Sequence, residues 1–481
     1  MKKNTKFSFS ILLFVLLSSV SYPQSGLKAK LDTLLSDSIF QATAASVNVY
    51  DLTAGKPLYQ NKIKLLLKPA SNMKIITTSA ALCFLGPEYQ FQTNLYYTGT
   101  ITPDSIMTGD LYVEGKGDPD FGLADLDSLV KQIKLLGIKE IKGHVYGDVS
   151  YMDSIFWGKG WMWDDDPSTD APYMSALNIN SNTVTVNIKP GFPGTPAVVT
   201  TVPETPFFKI INRSLTISGD SSTFKWDRDW LHRTNNIVLS GNLPLKSSPI
   251  TEDINVYDPA RYFLTLLKER LEFSRVLVLG TVDTASVPTN AKLFYTFNRP
   301  YGEVIVNLNK TSDNLSAEMT LRAMAYRFFG KPATPENGIK MVDSLITLSG
   351  LNYKDYRIVD GSGVSHYNLV TTELLLDVLK YIYYSKPRLF GVLYNSFPNA
   401  GVDGSLGNRM KNTLAFNNLH AKTGSLSGVN SLSGYVTAQN KHMLAFSAII
   451  QNYVGSASRA IKILDEIGRI LSESGNAEAS E

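Results

Sequence analysis

The sequence predicts an α+β multidomain protein: an antiparallel sheet flanked by helices, built from both ends of the chain, with a large inserted region forming two smaller, mostly β domains. Three observations carry this reading. At 481 residues the chain exceeds what one hydrophobic core usually serves. Its two ends are alike in style, each setting alternating strands beside a helical run. Between them, some 240 residues separate Ser71 from Ser312. That is far more than a connection needs, so the stretch must fold by itself.

Taken in order, Met1 to Pro23 reads as a secretory leader, with residues 1–21 removed. Lys2, Lys3 and Lys6 form a basic start, Phe7 to Val20 an apolar stretch, and Ser19-Val20-Ser21 a small-residue cleavage site. The apolar stretch is shorter than the ~20 residues a bilayer span needs, and no cysteine follows it to accept a lipid. The expectation is an exported, periplasmic product, soluble or loosely associated with wall or membrane. Ala45 to Tyr50 alternates and, after Thr53-Ala54-Gly55, resumes with Pro57-Leu58-Tyr59, which reads as a hairpin. Pro69 precedes Ser71, and the following run of Met, Ile, Ile, Ala and Leu has helical character, placing Ser71 at a helix N-terminus. Within the insert, Gly109 to Val113, Ile141 to Val149 and Val184 to Ile188 read as strands and Asp258 to Leu271 as an amphipathic helix. Pro190 to Leu245, richer in Pro, Gly, Thr and Ser, reads as a nested unit. At the far end, His420 to Val436 and His442 to Tyr453 read as two strands joined around Gln439-Asn440-Lys441, followed by a helix from Ser456 to about Leu471. The expected domains are 22–96 with 292–475, an inserted domain from 97–186 with 252–291, a nested domain 187–251, and a flexible tail 476–481.

Composition narrows the chemistry. Hydrophobic residues make up 43% and charged ones 19%, as in well-packed globular proteins. A net charge of +3, dispersed and without a basic tract, argues against nucleic acid. Cys83 is the only cysteine, so no intramolecular disulfide forms, and its apolar helical setting reads as a buried, inert thiol. The five histidines form no His-Glu-X-X-His or Cys/His cluster, leaving a metal without obvious ligands. No Gly-X-Ser-X-Gly elbow appears, which disfavours a Ser-His-Asp hydrolase. Gly115-Lys116-Gly117-Asp118-Pro119 lacks phosphate-loop spacing and reads as a turn.

Three strings in fixed order carry the functional signal: Ser71-Asn72-Met73-Lys74, Ser312-Asp313-Asn314 and Lys422-Thr423-Gly424. Ser-X-X-Lys alone is cheap, recurring at Ser25 to Lys28 and Ser222 to Lys225; only the ordered triple is informative. On a helix, residues three apart share a face, so the Lys74 amine reaches the Ser71 hydroxyl. A serine needs a neighbouring base to become a nucleophile. A lysine, ordinarily protonated near neutrality, serves only when burial or nearby positive charge lowers its pKa, and Lys422 is expected to supply such a charge. Ser71 is therefore the expected nucleophile and Lys74 the general base. Ser312 would relay the proton to the leaving amine, and Asn314 would donate to a substrate carbonyl or hold Lys74. Gly424 would leave a strand edge open for a peptide to pair alongside, with Lys422, Thr423 and Ser425 facing its carboxylate. The backbone N–H groups of Ser71 and Ser425 would form the oxyanion hole.

With these motifs, and with Pro69-Ala70, Gly117-Asp118-Pro119, Ser175-Ala176-Leu177-Asn178, Asp360-Gly361-Ser362-Gly363-Val364-Ser365 and Ala400-Gly401-Val402-Asp403-Gly404, the mature chain resembles D-alanyl-D-alanine carboxypeptidases of the penicillin-binding protein 4 type. The resemblance implies a β-lactamase/transpeptidase-like main domain. It implies cleavage of the terminal D-Ala-D-Ala bond of peptidoglycan stem peptides, and often of cross-links, through an acyl-enzyme that penicillins and other β-lactams also form. No cofactor is implied, and whether two copies form a homodimer is left open. The resemblance further implies that an acidic residue of the insert recognises the free amino end of the third stem residue, for which Asp148 is the candidate. Where relatives often carry arginine to bind that residue's carboxylate, this chain has His366, which would do so only when protonated. Ser427, two residues past Ser425, would line the same pocket.

Overall fold

The computed structural model describes residues 26–475, so the expected leader and the tail 476–481 lie outside the described residues. A five-stranded antiparallel sheet joins the two chain ends in the order His420–Leu426, Val429–Thr437, Met443–Gln451, Ala44–Asp51, Lys56–Asn61. Both faces are covered. Phe446, Ala448 and Ile450 pack with Leu464, Ile467 and Leu471 of the helix Ser458–Ser472. Ala445 and Ile449 point the other way, into a core with Ile75 and Ile76 of the helix Met73–Phe84 and Leu375 and Leu379 of Thr372–Ser385. Successive side chains of a strand alternate in direction, so a strand buried on both faces reads as one apolar run.

His420 to Val436 is not one strand but two, His420–Leu426 and Val429–Thr437, folded at Ser427-Gly428. Gly428, at φ +68°, takes the left-handed conformation a two-residue hairpin loop requires. Ser-Gly occurs again at Ser433-Gly434, inside the strand Val429–Thr437, so the dipeptide alone did not single out the turn.

The inserted region has a core of its own, in which Val113, Leu126 and Leu129 meet Phe263 and Leu267 of the helix Pro259–Phe273. Asp258 caps that helix by accepting from the Arg261 N–H at 3.2 Å. The stretch expected as a strand from Ile141 to Val149 is divided: Glu140–Ile141 and Val145–Asp148 belong to different sheets. At the break, a Cβ on Gly143 would lie 2.4 Å from the Gly109 carbonyl, so the chain can cross there only as glycine. The Gly-Asp-Pro segment is fixed against the strand Lys292–Pro300: Asp118 is 2% exposed and accepts from Arg299 Nε at 3.0 Å on both oxygens and from the Asp120 N–H at 3.1 Å, while the Gly117 N–H donates to Ala176 O at 2.9 Å. No helix among the described residues is long and apolar enough to cross a membrane.

Candidate active site

Ser71 lies in a 3-10 turn, Ala70–Asn72, that runs directly into the helix Met73–Phe84. The sheet holds this turn from below. Ser431 Oγ donates to Pro69 O at 2.8 Å, and Asn72 Nδ2 donates to Ser433 Oγ at 2.6 Å. Gly424 sits opposite Ser431, and a Cβ there would lie 2.2 Å from Ser431 Oγ and 3.0 Å from Ser71 N. Its missing side chain thus lets the strand approach the turn bearing Ser71, a tighter constraint than the open edge expected of it. Ala70 is held at φ +48°, uncommon for a residue with a side chain, beneath Gly363, where a Cβ would fall 1.9 Å from Ala70 O. Gly363→Ala is expected to lower stability by about 1–3 kcal/mol and to slow penicillin acylation by displacing Ser71; thermal unfolding and acylation kinetics measured together check this.

Lys74, fully buried, directs its amine at three acceptors: Ser71 Oγ at 3.0 Å, Asn314 Oδ1 at 2.5 Å and Ser362 O at 2.8 Å. Asn314, the first residue of the helix Asn314–Phe329, is oriented by donating its Nδ2 to Asp170 O at 2.6 Å. Ser362 belongs to the Asp-Gly-Ser-Gly loop. This loop is wound around the buried Asp360 carboxylate, which accepts from Gly363 N at 2.9 Å, Ser365 N at 2.6 Å, Asn368 Nδ2 at 2.6 Å and Trp161 Nε1 at 3.0 Å. On the other side Lys422, also fully buried, donates to Ser312 Oγ at 2.8 Å and Thr423 O at 2.9 Å. Ser312 adopts a left-handed φ of +67°, and Lys310, just before it, is anchored to Asp403 at 2.7 and 2.8 Å. These contacts give the Ala-Gly-Val-Asp-Gly segment a bracing role.

Burial sets the protonation of both lysines. It lowers the Lys74 pKa to about 8, against the opposing pull of Asp313, Asp360, Glu318 and Asp170. Burial and, behind it, the Lys74 charge hold Lys422 well below its ordinary value. The fall at Lys74 therefore comes from desolvation rather than from the Lys422 charge expected to cause it. Cys83 is half-buried, and its thiol is pushed up to about 11 by burial, which keeps it protonated and inert.

The edge strand His420–Leu426 presents its backbone to the cleft. The Ala421 N–H bonds outward to Pro398 O at 3.0 Å, away from the neighbouring strand, and by strand alternation the Ser425 N–H points to the same side. Beside it is the Ser71 N–H, in the first turn, where amides lack intrahelical partners. The cleft encloses about 830 Å³, and Ser71, Ser312, Asn314, His366, Thr423, Ser425 and Ser427 all line it, together with Met162, Asp164, Asp165 and Asp170.

Asp148 does not. It is 4% exposed, its carboxylate accepts from Ser150 N and Val287 N, both at 2.8 Å, and it borders a separate depression with Ser154 and Thr284. As an acid ending a strand it caps the following turn, and the acids that face the cleft come from the next loop. His366 does face it, but burial and the Lys68 ammonium, 3.2 Å from its Nδ1, hold its pKa below the ordinary value. Lys68, three residues before Ser71, is a cation that sequence reading passed over, as were Asp164 and Asp165. The acidic run Asp164-Asp165-Asp166 beside tryptophans was the available signal.

Residues 27–472 match the model of the D-Ala-D-Ala carboxypeptidase 3 (S13) family. The chain is 30% identical over 471 residues to a D-alanyl-D-alanine carboxypeptidase of Actinomadura sp., covering 95% of this chain and 86% of that one. Among solved structures it is similar to penicillin binding protein 4 from Haemophilus influenzae, with a TM-score of 0.80 and 27% identity over 92% of this chain and 97% of that one. The same protein complexed with a β-lactam gives a TM-score of 0.74 at 25% identity, over 91% and 97% of the two chains. The chain belongs to the D-Ala-D-Ala carboxypeptidase 3 (S13) family and is a serine-type D-Ala-D-Ala carboxypeptidase.

Proposed function

We propose that Ser71 carries the acyl group and that Lys74 is its base, the observation behind this being the buried amine 3.0 Å from the Ser71 hydroxyl. Neutral Lys74 takes the Ser71 proton as Oγ attacks the penultimate D-Ala carbonyl. The oxyanion that forms is met by the Ser71 and Ser425 N–H groups. Collapse breaks the C–N bond, and the leaving amine receives its proton through Ser312, which the Lys422 amine touches. Water then attacks the ester by the reverse route and frees the shortened stem. Where the leaving amine belongs to a neighbouring stem rather than to D-Ala, the same steps cut a cross-link. A β-lactam opens on Ser71 in the same way, a reading supported by the β-lactam complex of the H. influenzae relative. Action on stem peptides fits an exported, periplasmic protein.

Purified protein incubated with a stem pentapeptide should release D-Ala and leave the tetrapeptide, and mass spectrometry of a defined cross-linked muropeptide should show the bridge opened. Covalent penicillin capture without either product would make the chain a sensor instead and overturn the assignment.

For the third stem residue, we assign recognition of the free amino end to Asp165 in place of Asp148. Asp165 faces the cleft and acts electrostatically on His366. A carboxylate on the same residue would meet His366, with the Lys68 charge behind it. Asp165→Asn is expected to raise KM about tenfold for stems with a free amine at that residue and to leave stems with that amine acetylated unchanged. Steady-state kinetics on the two substrates is the check.

A further inference from the structure

One feature of the insert takes no part in the chemistry above. Four of the chain's five tryptophans, Trp157, Trp161, Trp163 and Trp230, line a pocket of about 330 Å³ together with Phe156 and Tyr173. Burial alone does not account for it, because the rings are offered to solvent: Trp163 is 70% exposed and Phe156 37%. Trp163 and Trp230 lie 5.3 Å apart at 36°, two planes opening outward, and the Arg233 guanidinium sits 5.5 Å over the Phe156 ring at the rim. The floor is rigid. Asp166 is buried and engaged on both oxygens, by Arg228 and by the Tyr173 hydroxyl at 2.7 Å, so the rings stand on a fixed base.

The pocket shares a wall with the catalytic cleft. Along Trp161 to Asp166, Trp161, Trp163 and Asp166 face the aromatic side, while Met162, Asp164 and Asp165 face the cleft. A stem peptide with its terminal D-Ala-D-Ala bond at Ser71 and its third residue at Asp165 sends its amino end toward this wall. In peptidoglycan that end is joined to an N-acetylated amino sugar. Pyranose rings present flat C–H faces that suit the electron-rich faces of indoles, and their hydroxyl and acetamido groups suit a rim donor such as arginine.

We propose that the Trp163–Trp230 pocket binds an N-acetylated hexosamine of the glycan strand, so that the enzyme holds its substrate by sugar and peptide together. The proposal rests on the assignment of the cleft to stem peptides, and the tests separate the two. With a disaccharide-linked pentapeptide as substrate, Trp163→Ala and Trp230→Ala should each raise KM about tenfold at unchanged kcat, and neither should alter kinetics on the sugar-free pentapeptide. Trp230 comes from a different segment than Asp165, so it guards against a disturbance carried along the loop. Triacetylchitotriose should quench tryptophan fluorescence in the wild type, and quenching should weaken in both variants; this holds whether or not the protein cleaves peptides. Equal effects on both substrates would make the pocket a peptide subsite, and no effect on either, or no quenching, would equally overturn the proposal. Loss of penicillin capture by the wild type with quenching intact would count against the cleft assignment and leave the sugar site standing.

Discussion

Ser71→Ala will abolish covalent capture of a fluorescent penicillin and reduce D-Ala release by a factor on the order of 10⁶, the scale seen when a serine nucleophile is removed. The hydroxyl is the group the whole site converges on: the Lys74 amine is 3.0 Å away, and the strand bearing Lys422 is pressed against its backbone with no Cβ between. The substitution costs the fold little. Ser71 Oγ makes one hydrogen bond of the three Lys74 donates, and Asn314 and Ser362 keep the amine in place. A circular dichroism melt close to wild type, together with lost labelling, is therefore the expected pair of results. Label retained on the variant would move the nucleophile elsewhere, Ser312 being the other hydroxyl touched by a buried lysine.

Lys74→Ala is expected to slow acylation by 10²–10⁴-fold, the usual cost of removing a general base. The base is useful only because burial lowers its pKa to about 8. At pH 7 about one amine in ten is then neutral, against roughly one in a few thousand for an exposed lysine. The direction of the pH dependence follows: the neutral form accepts the proton, so the acylation rate of the wild type climbs from pH 6 and levels off above about pH 8, and the low-pH limb disappears in Lys74→Ala. Stopped-flow acylation across that range tests both. The variant also strips partners from Asn314 Oδ1 and Ser362 O, so Lys74→Met, which keeps more of the volume, separates loss of base from loss of packing. Lys422 is the rival, since its amine is also buried, lies 2.8 Å from the Ser312 hydroxyl and is held well below its ordinary pKa by burial. If Lys422→Ala takes the whole loss and Lys74→Ala is harmless, the base has been assigned to the wrong amine.

How much of this was legible beforehand depended on the range of the interaction. Ser71 with Lys74 could be read because three residues of helix place two side chains on one face whatever surrounds them. The closing of the sheet by both ends could be read from strand alternation and from the size of the gap. The hairpin at Ser427-Gly428 could not, because the same Ser-Gly pair recurs at Ser433-Gly434 inside a strand, and Gly428 was visible only as one glycine among 34. The placement of Asp148 away from the cleft was not legible either. An acid at a strand end looks the same in sequence whether it meets a ligand or caps the next turn, and here Ser150 and Val287 occupy it.

By itself the sequence determined the candidate groups and their order: a hydroxyl, an amine one turn on, a serine-asparagine turn and a lysine-bearing strand. These rest on local geometry, which the chain carries wherever it folds. The tertiary structure decided what those groups are able to do. Desolvation of Lys74, the contact of Gly424 with the turn bearing Ser71, the placing of Asp165 in the cleft and of Asp148 outside it, and the tryptophan wall beside the cleft all arise from segments distant in sequence packing together. Dielectric environment and side-chain direction are properties of that packing and leave no periodic trace in the chain.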